Sequence, residues 1–76
     1  MQVVRVGWHD AHSECESWMA IDDVDPEPRL IISVGFLIPD AKEGHVVIAQ
    51  SHDDETHIDS VLAIPVAMVQ TLQVLC

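Results

Sequence analysis

The sequence predicts an all-β fold, a small five-stranded barrel with a short helix or loop insertion after the first strand. Five short segments alternate in polarity or are rich in β-branched residues, and Pro, Gly and acidic residues separate them. The chain has 76 residues, which is enough for one domain over residues 1–76. Closing a few short strands into a barrel removes most of the exposed sheet edges.

The first strand is predicted over residues 2–8, where Val4, Val6 and Trp8 fall on one face. The insertion, residues 9–28, contains seven of the thirteen Asp and Glu residues. Ser13 stands three residues before Glu16, the spacing of a helix capping box. A short helix begun there places three larger side chains on one side: Cys15, Trp18 and Met19.

The second strand is predicted over residues 29–38, a continuous apolar run that is typical of a strand buried on both faces. Gly35 inside it predicts a sharp bend, as at a barrel corner. A turn follows at residues 39–44, and residues 45–51 form the third strand. Residues 52–57 are expected to be a polar loop or the tip of a hairpin.

The last two strands are predicted at residues 58–64 and 70–75, and Pro65 ends the first of them because it cannot donate to a ladder. Residues 65–69 between them are expected to form a short turn, such as one turn of 3₁₀ helix. The strands between residues 29 and 64 are more apolar than one small barrel can hide. We therefore expect a homo-oligomer that closes cyclically through its strand edges.

The charge indicates which partners fit. The chain carries thirteen acidic and three basic residues, a formal charge of −10, and Arg5, Arg29 and Lys42 stand apart. A protein of this charge repels polyanions, so a neutral or cationic partner is favoured over nucleic acid. Two cysteines are too few for a secreted disulfide framework, and no apolar run is long enough to span a membrane. A cytoplasmic location is expected.

The order of segments resembles the Sm-like fold of the Hfq and Lsm proteins. The pattern is a bent strand with an internal Gly, a turn with Asp and Gly, two further strands, a short turn and a final strand. Its pieces here are residues 33–38, 39–44, 45–51 and 61–75. The segments SVGFLI, HVVIAQS and IPVAMV also resemble small uncharacterised phage proteins. The resemblance implies an Sm-like or SH3-like barrel in a ring of five or six subunits.

The RNA-binding role of Hfq does not follow from this resemblance. Hfq-type proteins carry a Lys-His pair in the strand-end segment that lines the RNA pore. The matching residues here are 64–67, Ile-Pro-Val-Ala, and none is basic. Many Sm proteins also place an Asn after the turn, which has no counterpart near His45. Fold and function are therefore treated separately.

Two clusters are candidate sites. The first is a ligand site at which indole rings, a carboxylate and a hydroxyl bind a flat molecule such as a nucleobase: Trp8, Asp10, Ser13 and Trp18. The alternative is that the tryptophans cover the mouth of the barrel. The second is a zinc site, because imidazole and thiolate ligands recur every three residues: His9, His12 and Cys15. His52 or His57 would complete it. The alternative is a polar surface with Cys15 packed inward.

The acidic runs are either a solvated face or a mimic of DNA phosphates. The runs lie at residues 22–27 and 53–55. No catalytic motif is present, and no enzymatic activity is predicted. We expect a non-enzymatic ring that binds a small ligand, a nucleotide or a short single-stranded nucleic acid, including RNA, near Trp8, Asp10 and Trp18. The alternatives are an acidic phage protein that blocks a basic host protein, and a small metal-binding domain.

Overall fold

The computed structural model of this protein describes residues 1–10, 18, 20–23, 29–54 and 56–76. These ranges contain five strands: β1 (Val3–Asp10), β2 (Arg29–Leu37), β3 (His45–His52), β4 (Ile58–Pro65) and β5 (Val69–Val74). Short 3₁₀ turns lie at Ile21–Asp23 and Val66–Met68. The all-β class is confirmed, and each strand begins and ends within two residues of its predicted bounds. The helix predicted from Ser13 lies outside the described residues.

The five strands form one antiparallel sheet in the order β4-β3-β2-β1-β5. Strand β2 is central, and β1 pairs with β2 along its whole length and with β5 on its other side. Strands β4 and β5 are the two edges of the sheet. They do not pair with each other, so the predicted barrel is not closed within the described strands. None of the described helices is both long and apolar enough to cross a membrane.

Gly35 allows β2 to approach β3 closely. A Cβ at this position would lie 2.8 Å from the Ala49 carbonyl oxygen and 3.3 Å from the Ile48 Cβ. Because a backbone atom blocks the space, a side chain at residue 35 would push the two strands apart. The sequence predicts a bend at this residue, and the structure shows a close approach of two strands there.

A small apolar core lies on one face of the sheet. It is formed by Val4 and Val6 of β1, Ile48 of β3 and Ile64 of β4. The half-buried side chains packed against it come from every strand except β4 and from the second 3₁₀ turn: Trp8, Leu37, Val46, Met68 and Val69. Among the described residues, six hydrophobic residues are buried and thirteen large ones are exposed. The single chain therefore leaves much of its apolar surface in contact with water.

The prediction that residues 29–38 are buried on both faces is wrong. Leu30, Ile32 and Val34 are 57%, 47% and 56% exposed. These residues lie in the first part of β2, which pairs with β1 but extends beyond its short ladder with β3. No element of the described chain covers this face, so its apolar side chains remain in water.

The turn between β2 and β3 is confirmed at residues 39–44. Asp40 and Gly44 both have positive φ, at 55° and 71°. Pro39 precedes Asp40, and Gly and Asp are residues that tolerate this left-handed backbone. The turn is fixed further by hydrogen bonds from the His45 N–H to the Lys42 carbonyl and from the Val66 N–H to the Gly44 carbonyl.

Candidate functional site: the opening between β2 and β3

Trp8 belongs to both the core and the predicted ligand site. The side chain is half-buried and packs against the core cluster. Its indole Nε1–H donates to the Ser33 Oγ of β2 over 3.0 Å. The single polar group of the indole is therefore already satisfied within the sheet. A ligand that uses this N–H must displace Ser33, whereas stacking on the ring does not require it.

Asp10 lies on the same face of β1 as Trp8, because alternate residues of a strand share a face. It is half-buried at the end of the strand and stands opposite Arg29 of β2. Trp18 is fully exposed. Ser13 lies outside the described residues. The structure thus brings Trp8 and Asp10 onto one face, and ligand binding there remains a prediction.

The predicted zinc site is described only at His9. This residue is half-buried on the face of β1 opposite Trp8, and its partner across the strands is Leu30. His12 and Cys15 lie outside the described residues. Within the part of the chain that the structure describes, no group of three or more His, Cys, Asp or Glu side chains could hold a metal ion. Zinc binding therefore stays a prediction.

Strands β3 and β4 form a hairpin, and the described polar residues Asp53, Asp54, Thr56 and His57 lie at its tip, in the segment that the sequence predicts as a loop or hairpin tip. Asp53 organises the tip: its Oδ1 accepts the backbone N–H groups of His57 at 2.8 Å and Thr56 at 3.0 Å. These two hydrogen bonds hold the pKa of the Asp53 carboxyl below its ordinary value. The Thr56 hydroxyl also donates to the carboxylate, and the His57 Nδ1 lies 3.4 Å from Oδ2. The tip therefore carries an ionised carboxylate at neutral pH.

An aromatic contact joins the hairpin to β2. The rings of Phe36 and His52 meet edge to face, with centroids 4.5 Å apart and planes at 87°. His52 is the last residue of β3. The contact lies where the β2–β3 ladder is ending. It positions the start of the hairpin tip relative to β2.

Beyond this point β2 and β3 separate. The two strands pair only at Phe36 with Ala49 and at Leu37 with Ile48, whereas β1 pairs with β2 back to Arg29. The opening contains a cavity of about 310 Å³. It is lined by residues of three strands, among them Ser33, Val34, Gln50, Ser60 and Leu62. Sequence analysis missed this opening, because strand lengths do not show where two strands stop pairing.

Ser60 marks an irregularity in the wall of the cavity. Its φ is 55°, although it lies within β4 and is neither Gly nor Asn. The β3–β4 ladder pairs residues on both sides of it, Ala49 with Val61 and Ser51 with Asp59. A left-handed residue of this kind costs about 1–2 kcal/mol. The strain lies at the cavity, not at a turn.

The β3–β4 side of the opening is acidic. Residues 43–76 contain five Asp and Glu residues and no Lys or Arg. Three of the acids, Asp53, Asp54 and Asp59, lie at or next to the hairpin tip and are exposed. The potential on this side is therefore negative, with no nearby Lys or Arg in the same segment to balance it.

No family model, curated protein or solved structure matches this chain. The resemblance to Sm-like proteins therefore rests on the sequence pattern alone.

Proposed function

We propose that this chain is a non-enzymatic binding scaffold that assembles with copies of itself into a closed ring. In this ring the free edge of β4 pairs with the free edge of β5 of the neighbouring copy. The observation that carries the proposal is that the apolar layer of the core continues, uncovered, to both edges of the sheet.

The β5 edge shows this most clearly. Leu72 pairs with Val6, and Val74 pairs with Val4, so these residues share the core face of the sheet. Val4 and Val6 are 0% exposed, whereas Leu72 and Val74 are 44% and 50% exposed. The two outer side chains have the same apolar character as the core but lack a neighbour on the side away from β1.

The β4 edge has the same property. Leu62 stands opposite Ile48, and alternation places it on the face of Ile64. Ile64 is 0% exposed and Leu62 is 36% exposed. A strand added beside β4 would cover Leu62 and pair the unpaired backbone groups of the edge.

Pairing two different edges makes a heterologous contact, which closes into a ring if the rotation between copies allows it. Each edge of the five-stranded sheet would then pair with a neighbouring copy, and the sheet would not need to close on itself. The segment order that resembles Sm-like proteins supports a ring of five or six subunits.

Each contact between two neighbouring copies is expected to be weak. Burying half of a Leu or Val side chain contributes about 1 kcal/mol, so Leu62, Leu72 and Val74 supply roughly 3 kcal/mol besides the backbone ladder. The charge of −10 on each copy opposes assembly at low ionic strength. Assembly should therefore depend on protein concentration and increase with salt.

The proposed binding role is supported by the charge of the chain and by the lack of a catalytic motif in the sequence. A charge of −10 favours a neutral or cationic ligand over a nucleic acid. Trp8 and Asp10 share one face at the end of β1, and this is the place in the ring at which we propose that a small flat ligand stacks.

Native mass spectrometry at several protein concentrations tests the assembly. We expect one closed oligomer, which Leu72→Lys at the β5 edge converts to monomer with an unchanged circular dichroism spectrum. Leu30→Lys makes the same change on an exposed Leu away from both edges, and we expect it to retain the oligomer. A wild-type monomer at every concentration would refute the proposal, as would equal dissociation of both variants.

A further inference from the structure

We propose that the open edge of β2 binds an extended basic peptide segment of a partner protein, which adds to the sheet as a further strand. The peptide would pair with Leu30, Ile32 and Val34 and lie between β2 and the β3–β4 hairpin. This binding does not depend on ring assembly, because it uses neither β4 nor β5 as an edge.

The backbone of β2 shows which groups are unpaired. The Leu37 N–H donates to the Gln2 carbonyl on the β1 side at 2.8 Å, and the Ile38 N–H donates to the Val47 carbonyl on the β3 side at 2.9 Å. Neighbouring residues of a strand point their backbone groups to opposite sides. The backbone groups of Ile31 and Ser33 therefore face β1, and those of Leu30, Ile32 and Val34 face the β3 side.

On the β3 side the ladder ends at Phe36. Among the described strands, none pairs with β2 between Arg29 and Val34 on this side. Protein sheets usually protect such an edge with Lys, Pro or a bulge, and this edge has only Arg29 at its end. An unprotected edge is a template for a further strand.

The same three residues supply an apolar surface for the side chains of the added strand. Leu30, Ile32 and Val34 lie on one face and are each about half exposed. Across β1 they stand opposite His9, Gly7 and Arg5. Gly7 has no side chain, and the Ile32 and Thr71 side chains lie over it and bury it, so Ile32 lies flat on β1. Every second side chain of an extended peptide would pack on this surface.

The negative charge on the hairpin side of the opening indicates which kind of partner fits the β2 edge. The hairpin side of the opening carries exposed acids, and no Lys or Arg occurs in residues 43–76. A second copy of the chain would bring another −10 charge to this place. A peptide between β2 and the hairpin would lie beside Asp53, Asp54 and Asp59, so its basic side chains would be attracted to these acids. Charge complementarity therefore favours a basic peptide over self-association at this edge.

The cavity beside Val34 gives the inner end of the peptide a place to bind. Its volume of about 310 Å³ lies at the lower limit of ligand pockets, which hold about 300–1,000 Å³. Polar groups of Ser33, Gln50 and Ser60 line it together with Val34 and Leu62. A pocket of this size accommodates the terminal residue of a strand, so it would fix the register of the peptide.

The test uses a capped peptide of alternating Lys and Val, added to the full chain and followed by amide hydrogen exchange and calorimetry. We expect the amides of Leu30, Ile32 and Val34 to slow about tenfold or more on binding. The amides of Ile31 and Ser33, which face β1, should not change. A peptide of alternating Glu and Val should not bind, and added salt should weaken binding of the Lys–Val peptide.

Two variants separate pairing at β2 from general charge attraction. Val34→Lys should weaken binding of the Lys–Val peptide about tenfold. Val66→Lys makes the same change at a Val of equal exposure, 56%, and should have little effect. Equal weakening by both variants would overturn the proposal, because it would show only the attraction between a basic peptide and an acidic protein.

Other outcomes also decide the question. No binding of the Lys–Val peptide would overturn the proposal, and so would slow exchange of the three edge amides in the free chain, which would mean that the edge is already covered. Leu72→Lys, the variant expected to be monomeric, should still bind the peptide. Failure of the ring and failure of peptide binding are therefore distinguishable.

Discussion

Strand β2 has two parts that meet at Gly35 and differ in their neighbours. Residues 35–37 lie between β1 and β3, and Gly35 itself is buried. Residues 29–34 have β1 on one side and no described strand on the other. Both parts are apolar in sequence, so the difference arises from the point at which β3 leaves β2. Residues 35–37 hold β2 between its neighbours, and residues 29–34 form the surface at which we propose that a peptide binds.

Removing a core side chain should destabilise the fold most. Ile64→Ala deletes a side chain that is 0% exposed and should cost about 2–5 kcal/mol in the free energy of unfolding. Ile32→Ala makes the same change on the open part of β2, where the side chain is 47% exposed, and should cost less than about 1 kcal/mol. Urea denaturation at low protein concentration measures both. Equal losses would show that Ile32 is buried in solution.

The next effect concerns the contact between β2 and β3. Gly35→Ala places a Cβ 2.8 Å from a backbone oxygen and should cost about 1–3 kcal/mol. Gly7→Ala is the control: its Cβ would lie 2.6 Å from the Thr71 Oγ1, but that atom belongs to a side chain that can rotate. We therefore expect Gly35→Ala to destabilise more than Gly7→Ala. The reverse order in urea denaturation would mean that β2 and β3 are not in close contact at this residue.

A smaller loss of stability is expected from removing the hydrogen bond between Trp8 of β1 and Ser33 in the open part of β2. Ser33→Ala removes the acceptor of the Trp8 indole N–H and should cost about 1 kcal/mol, since the bond is half-buried. Ser51→Ala, at an exposed serine of β3, should have no measurable cost. The indole N–H resonance of Trp8 should also shift in the first variant alone. An unchanged Trp8 resonance would exclude the hydrogen bond.

The smallest effect is the pH response of the hairpin tip. The pKa of the Asp53 carboxyl is lowered below the usual value of about 3.9, chiefly by the hydrogen bond from the His57 N–H. A lowered pKa means that the carboxylate stabilises the tip above this pH, and that the contribution is lost as the pH falls through the folded-state value. The NMR chemical shifts of the Thr56 and His57 amides should therefore change with pH at values below about 3.9. Asp53→Ala should remove this titration.

The sequence predicts most of the secondary structure and little of the site. Period-two alternation in β1 and the apolar run of β2 depend on local patterns, so those strands are predicted within two residues of their bounds. The end of the β2–β3 ladder depends on how two distant segments align, which periodicity does not encode. Gly35 was the available signal, because a Gly within a strand marks a close approach or a bend. It does not tell which part of the strand stays exposed.

The proposed ligand site shows the same limit. Trp8 is predicted in the first strand on the face of Val4 and Val6, and the structure places it there, packed on the core and donating to Ser33. The partner of an indole N–H comes from the register of the neighbouring strand, here Val6 opposite Ser33. Composition identified the residue, and tertiary structure assigned its hydrogen bond.

Hydrogen exchange along β2 in the free protein at low concentration shows most directly whether residues 30–34 are unpaired on the β3 side. We expect slow exchange for Ile31 and Ser33, whose amides face β1, and for Phe36, whose amide faces β3. We expect fast exchange for Leu30, Ile32 and Val34, whose amides face the opening. Slow exchange at all six amides would contradict the open edge, because β2 would then be paired on both sides along its whole length.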